Sequence, residues 1–428
     1  MLEIFVNKAL IEHLEVNNIL FTSQHGFRSG RSVDTNLIQT YELVTTLLDE
    51  GFPVEMILLD LSKAFDKVCH EFLIIKLRAA GVNEGVVQWI MGFLSVRSQS
   101  VRVFDLQGTP HFSSPTTVLS GVPQGTILGP TLFNFYVNKL PTLLSNLITL
   151  YADDSKLVGK AATPSDQQSI QTDLDSLERW ANMWLLTFNV DKCHVIHLGK
   201  NNKHHKYFLQ DNFLSAVSDE RDLGVIVDHQ LKFSSHAKSV SSSPNKTLGI
   251  IKRTISSQHP RVLMKLYKVL VRPRLEVGMS LAAPFFKKDR KLLEDVQRRA
   301  TKMVTNMNKF PYKERLHHLK LPMLTYQRKR GDIILTKKIL SKNTLPGLFA
   351  QPLHSGTRGH SLKLSMQHST SRHRSHFFSQ RIINMWNQLS EETVSATSID
   401  MFKSHLDKEW LCQEFLHNWE AAESSTRV

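Results

Sequence analysis

Apolar residues recur at helical spacing over residues 1–20, where Leu2, Phe5, Val6, Ala9, Leu10 and Leu14 share one side. A loop punctuated by Gly and Ser follows, Gln24-His25-Gly26-Phe27-Arg28-Ser29-Gly30-Arg31-Ser32, and it carries two arginines. A second helix is predicted from Asp34 to Leu48, with Asp34 as its cap. The short apolar run from Val54 to Leu61 reads as a buried strand with a carboxylate, Asp60, at its end. Helical spacing returns from Asp66 to Ala80 and is closed by Gly81. Residues 131–145 are predicted helical. A hairpin follows, with Leu147–Ala152 as one arm, a turn at Asp153-Asp154, and Ser155–Val158 as the other. Another helix covers 166–186. The serines at 239–243 before Pro244 predict a loop or junction. Beyond it, Lys291–Val304 places Leu292, Leu293, Val296, Ala300, Met303 and Val304 on one helical side. Residues 353–376, rich in His, Ser and Arg, predict an extended loop, and aromatic spacing resumes from Phe377 to Trp410.

The 428 residues are 41% apolar, which excludes a disordered chain and fits a globular one. That length exceeds one compact core, so two or three domains are expected. Cys69, Cys193 and Cys412 stand far apart with no Cys-x-x-Cys pair. This excludes a disulfide-stapled secreted scaffold and a cysteine-rich zinc module, and it suits a reducing compartment. Glu3, Lys8, Glu12 and His13 interrupt the first apolar stretch, so it lacks a signal-peptide core. The longest apolar runs fall short of the roughly 20 residues that span a bilayer. An intracellular protein, nuclear or cytoplasmic and without membrane contact, is expected.

Charge divides the chain. The formal net charge is +14, from 53 Lys+Arg against 39 Asp+Glu. Residues 1–200 hold 15 basic and 20 acidic side chains, whereas residues 201–428 hold 38 and 19. Residues 251–350 alone carry 24 basic and 6 acidic, a net of +18. An evenly basic surface would not concentrate its surplus in this way. Two functionally different halves are expected, and the basic one points to a polyanion, nucleic acid before an acidic membrane surface.

Two acidic segments carry the strongest chemistry. Asp60 ends an apolar strand, and Asp153-Asp154 sit at a hairpin tip. Carboxylates at buried strand ends are costly unless a cation neutralises them. Neighbouring strands would bring Asp60 and Asp153 together, where hard oxygen ligands suit two Mg²⁺ ions and phosphoryl transfer. Taken singly, each segment is better served by a good turn pair or a polar strand end. A third segment changes that balance. Leu119-Ser120-Gly121-Val122-Pro123-Gln124-Gly125-Thr126-Ile127-Leu128-Gly129-Pro130 is a Gly/Pro loop running into a helix, able to bring backbone close to a nucleotide.

The order Asp-x-Ser-Lys-Ala-Phe-Asp, then Gly-Val-Pro-Gln-Gly, then Tyr-Ala-Asp-Asp resembles reverse transcriptases of non-LTR (LINE-type) retrotransposons, especially the jockey-like group. The loop Gln24–Ser32 and the stretch Trp184–Cys193 share the resemblance. It continues through Asp222-Leu223-Gly224-Val225, Leu275-Glu276, Gln297-Arg298-Arg299-Ala300 and Trp386-Asn387-Gln388-Leu389.

The resemblance implies an α+β fold of right-hand type: partial fingers over 1–50, palm over 51–200, a palm–thumb junction and thumb start over 201–260. A basic, mainly helical region would follow over 261–428. It implies an RNA-directed DNA polymerase that adds dNTPs to a DNA primer on an RNA template. Asp60, Asp153 and Asp154 would hold two Mg²⁺ ions, with Mn²⁺ as an alternative. Lys192 would be a general acid toward pyrophosphate, or an exposed turn lysine. Phe65 would gate the ribose 2′-hydroxyl, or pack in the core. Leu61, Gln124 and Gly125 would line the nucleotide and template pocket. Arg28 and Arg31 would touch template or triphosphate, or be ordinary surface arginines, and Asp66 would be an N-cap rather than a ligand. The tryptophans at 180, 184, 386 and 410 are expected mostly to pack helices, and neither the histidines at 354–376 nor Cys412 with His417 has regular zinc spacing.

The resemblance also implies that the chain starts partway through the fingers and carries no upstream endonuclease, so weak or no synthesis by this chain alone is expected. The competing reading is a non-catalytic nucleic-acid-binding remnant. Intron-encoded maturases and telomerase-like enzymes would not share the C-terminal matches.

Overall fold

The computed structural model describes residues 2–257, 259–352 and 359–411. The chain forms two compact units and its fold is α+β, in keeping with the sequence. One unit comprises Met1–Asn36, Pro53–His197 and Asn201–Val217; the other comprises Leu37–Phe52, Leu198–Lys200 and Ser218–Val428. No helix among the described residues is long and apolar enough to cross a membrane.

The first unit is built on one five-stranded sheet. Its strands are β1 (Val54–Leu59), β2 (Leu147–Tyr151), β3 (Asp154–Lys160), β4 (His194–Leu198) and β5 (Ser215–Ala216), in the spatial order β5-β4-β1-β3-β2. β3 runs antiparallel to both β1 and β2. The apolar strands pack under helices α1 (Leu2–Val16), α3 (His70–Ala79), α4 (Glu84–Leu94), α5 (Leu128–Val137) and α6 (Pro164–Met183). α6 starts on a capping box in which Thr163 and Asp166 satisfy each other's backbone N–H. Glu55, almost fully buried in β1, is held by His197 of β4, Nδ1 to Oε2 2.6 Å.

Register places the chemistry. Leu59 stands opposite Ser155, so Asp60, one residue further on, comes to the end of the sheet where the β2–β3 turn reverses the chain. That turn lies one residue earlier than predicted: Tyr151 pairs with Asp154, and Ala152-Asp153 make the reversal. Pairing with Tyr151 draws Asp154 into the ladder and satisfies its backbone, which a wider turn would forgo.

Two helix starts also differ from expectation. The cap of α2 (Val33–Asp49) is Ser32 rather than Asp34. Thr35 N donates to Ser32 Oγ at 3.3 Å, and Ser32 N donates to Thr35 Oγ1 at 2.8 Å, a reciprocal pair that Asp34 is too late in the chain to make. Asp66 is no N-cap either. It lies in a short 3₁₀ turn, Ala64–Lys67, and extended backbone at Val68 separates that turn from α3, whose cap position is Cys69.

In the second unit, the predicted loop at 239–243 is helix. Helix α7 (Ser234–Thr254) runs through it with Pro244 inside. His236, Ala237, Ser241, Pro244, Leu248 and Ile251 form its buried face, and tertiary burial of that face outweighs the serine and proline propensities. The basic amphipathic helix spans Lys287–Lys302 and buries Leu293, Val296 and Ala300. Gln297 is a buried hub, accepting from Tyr267 Oη at 2.6 Å and donating to the Pro322 carbonyl at 3.1 Å. The His/Ser/Arg-rich stretch is anchored rather than merely solvated. Arg374 is buried and pairs with Glu42 at 2.6 Å, and Thr370 and Ser371 donate to Asp49. Trp386 and Trp410 are buried. Residues 353–358, with His354, and residues 412–428, with Cys412 and His417, lie outside the described residues.

Candidate active site

Three backbone segments of the first unit converge at the end of β1. The chain leaves the sheet at Asp60 and bridges antiparallel to the stretch after α6: Leu61 pairs with Phe188, Ser62 N donates to Thr187 O at 2.8 Å, and Asn189 N donates to Asp60 O at 2.8 Å. The buried thiol of Cys193 lies beneath Asp60, accepting from its N–H at 3.4 Å, and burial pushes that thiol up to about 11. The third segment is the Gly-Val-Pro-Gln-Gly loop. Gly121 N donates to Val68 O and Val122 N to Phe65 O, each at 2.8 Å. Gly121 has φ +89°, and a Cβ there would meet the Asp66 backbone at 2.7 Å, so this close approach requires glycine.

Between these segments opens a cavity of about 360 Å³. Asp60, Leu61, Phe65, Gln124, Asp153 and Lys192 all line it, so six of the sequence-predicted residues come together. The other four do not line it. Asp154 is exposed at the head of β3, and Gly125 is exposed with φ +79°. Arg28 is committed to Glu15, donating from Nη2 at 2.8 Å and from Nε at 3.2 Å, and to the Phe21 carbonyl at 2.6 Å. Arg31 is half-buried beside it, 3.4 Å from His25 Nε2; burial and Arg28 hold its guanidinium down to about 10. Ser62, Lys63, Ala64 and Asn189 complete the lining. Asn189 lies within the Trp184–Cys193 stretch, but no spacing singles it out in the sequence.

The cavity lining holds two carboxylates, Asp60 and Asp153, and two ammoniums, Lys63 and Lys192. Lys192 Nζ lies 3.4 Å from Asp60 Oδ2, with the lysine two-thirds exposed and the aspartate one-quarter exposed. Burial pushes the Asp153 carboxyl above the ordinary carboxylate range; the charge of Asp60 adds to this, and Lys192 opposes it. Phe65 lines the cavity and also packs inward, stacking on Phe133 at 4.5 Å between centroids. Gln124 Nε2 donates to Asp66 Oδ1 at 3.1 Å, which steadies its amide at the cavity edge. Two oxygen-donor carboxylates, one of them disfavoured as an isolated charge, fit a hard divalent cation. Among the described residues, no cluster of three or more His, Cys, Asp or Glu side chains gathers as metal ligands.

The second unit holds a different cleft, of about 450 Å³, between α7 and the helix Lys287–Lys302. Leu248, Leu263 and Met303 form its apolar part, and Lys252, Arg299 and Lys302 are its exposed cations. It carries no carboxylate.

Residues 5–251, which include the two-carboxylate cavity and the Gly-Val-Pro-Gln-Gly loop, match the reverse transcriptase (RNA-dependent DNA polymerase) family. The chain belongs to that family. It is 26% identical over 288 residues to the RNA-directed DNA polymerase from mobile element jockey of Drosophila funebris, covering 64% of this chain and 31% of that protein. It is 23% identical over 318 residues to the probable RNA-directed DNA polymerase from transposon X-element of Drosophila melanogaster, covering 72% and 34%. The chain spans about a third of the length of these relatives. Among solved structures it is similar to telomerase from Candida tropicalis in complex with a TWJ fragment of telomeric RNA. That match has 10% identity and a TM-score of 0.43, over 99% of this chain and 56% of that one.

Proposed function

We propose that this chain is the RNA-directed DNA polymerase segment of a non-LTR retrotransposon, adding dNTPs to a primer 3′-hydroxyl on an RNA template. The observation that carries the proposal is the meeting of Asp60 and Asp153 in one cavity with Phe65, Gln124 and Lys192. Asp60 and Asp153 would hold divalent metal, with Asp154, adjacent to Asp153 in the chain, as a further carboxylate. Two Mg²⁺ ions, or Mn²⁺ in their place, supply Lewis-acid activation of the hydroxyl and charge neutralisation on the triphosphate when bound.

The protein's own groups do the rest. Phe65, fixed against Phe133, offers a flat wall to the incoming sugar and disfavours a 2′-hydroxyl. Gln124, steadied by Asp66, presents its amide to the nucleotide or template, beside Leu61 and Gly125. Lys192, within reach of Asp60, delivers a proton to the departing pyrophosphate. Arg28 braces the Gln24–Ser32 loop through Glu15, and Arg31 lies behind it. In this reading, residues 1–50 serve as fingers, 51–200 as palm and 201–260 as the start of the thumb. The basic region 261–428 grips the phosphate backbone. Two free thiols, Cys69 and Cys193, fit work inside the cell, in nucleus or cytoplasm.

Primer extension on an RNA template tests the proposal. At most weak, Mg²⁺-dependent incorporation by the full chain is expected. Asp60→Ala and Asp153→Ala should each abolish it while leaving RNA affinity unchanged. RNA binding by the parent with no incorporation under any metal would replace the proposal with a non-catalytic nucleic-acid-binding remnant.

A further inference from the structure

The turn that carries Asp153 is built on an unfavourable conformation. Ala152 has φ +56° within the two-residue reversal between β2 and β3. Left-handed backbone is disfavoured for a residue with a Cβ, and glycine is the usual occupant of such turns. Ala152 is also buried, so water cannot satisfy its peptide groups.

One side chain does. Gln24, only 2% exposed, places its amide against the turn. Ala152 N donates to Gln24 Oε1 at 3.0 Å, and Gln24 Nε2 donates to Ala152 O at 3.3 Å. Gly26 N donates to the same Oε1 at 2.8 Å. An amide is the neutral group that offers a donor and an acceptor side by side. Here it grips both peptide groups flanking Ala152, and so sets the direction in which Asp153 leaves the backbone.

The support behind Gln24 is equally specific. Residues 23–25 run alongside β2, with Leu150 N donating to Ser23 O and His25 N to Leu150 O, each at 2.9 Å. Asn134 Nδ2 donates to Gly26 O at 2.7 Å. A Cβ on Gly26 would lie 2.5 Å from Ala152 N, so the loop sits against the turn only because residue 26 is glycine.

We propose that Gln24 is a positioning residue: its amide clamps the strained Ala152 turn and thereby holds the Asp153 carboxylate in the cavity with Asp60. This inference rests on the proposed metal-holding role of the two aspartates.

The test is Mn²⁺ binding to the full 428-residue chain without nucleic acid or nucleotide, followed by electron paramagnetic resonance, alongside thermal unfolding. Gln24→Met keeps the side-chain length and removes the clamp. Its Mn²⁺ affinity is expected to fall about 10- to 100-fold, as for other groups that orient metal ligands. A wild-type affinity would overturn the inference. Because Gln24→Met also leaves buried peptide groups unpaired, the double variant Gln24→Met, Ala152→Gly is measured beside it. Glycine removes the left-handed strain, so a comparable loss of affinity in a double variant whose thermal unfolding matches the parent's separates positioning from stability. Wild-type affinity in that variant would equally overturn the inference. If instead the parent and Asp153→Asn bind Mn²⁺ alike, the metal-holding role itself fails, and this inference falls with it.

Discussion

Gly121 sits where the Gly-Val-Pro-Gln-Gly loop meets the turn after β1, and the Asp66 backbone occupies the space a side chain would need. Two costs would fall on a substitution there, a left-handed φ and a collision with backbone that cannot swing away. Gly121→Ala is expected to destabilise the first unit by about 2–4 kcal/mol and to displace Gln124 from the cavity edge. Urea unfolding measures the first effect, and a loss well under about 1 kcal/mol would contradict it. Other residues are shaped by the same contest between chemistry and packing. Arg28 looked available for phosphate in the sequence, yet Glu15 and the Phe21 carbonyl use its donors. Only the folded chain shows that competition, because α1 must first bring Glu15 to the loop.

At the scale of elements, α3 brings a lysine into the core. Lys76 donates to the Tyr136 carbonyl at 2.7 Å and lies over the Trp184 ring at 4.7 Å, and burial holds its ammonium down to about 7. The unfolded chain therefore binds a proton that the folded chain releases between about pH 7 and the ordinary lysine range. The sign follows from this difference. Stability attributable to Lys76 is fully present above the unfolded value and is lost as pH falls through about 7. The parent should gain up to about 1.4 kcal/mol per pH unit across that window, relative to Lys76→Met. Denaturant titrations of both proteins at pH 7 and pH 9 check it, and parallel curves would refute it. The helices themselves were largely legible in the sequence from their apolar spacing. α7 was not, since its serines and Pro244 read as a break; its buried face, visible only once the helix packs, outweighs them.

At the scale of the whole molecule, the charge asymmetry acquires an address. The basic surplus of 251–350 is not all available to a ligand. Arg315 is buried, Arg328 is half-buried, Arg330 pairs with Asp407, and Arg272 pairs with Glu276. Lys252, Arg299 and Lys302 remain exposed around the cleft of the second unit. RNA binding is expected to weaken linearly with the logarithm of salt concentration. The Lys252→Ala, Arg299→Ala, Lys302→Ala triple variant should reduce that slope by about 2, at roughly 0.7 per lost phosphate contact on single strands. Fluorescence anisotropy across a salt series reads the slope. An unchanged slope would remove these side chains from the nucleic-acid surface.

Apolar spacing, strand ends and turn residues, which are local, were enough to bring Asp60 and Asp153 together, while the α+β class and the family came from the order of the motifs and their resemblance to a known family. The tertiary structure decided which residues actually share the cavity. It admitted Asn189 and left Asp154, Arg28 and Arg31 outside its lining. It also decided that Gln24, remote in the chain, grips the Asp153 turn. Such choices depend on register, on close backbone approach at Gly26 and Gly121, and on which partner reaches a buried donor first. None of these is encoded in the spacing of residues along the chain, and all of them are set by packing.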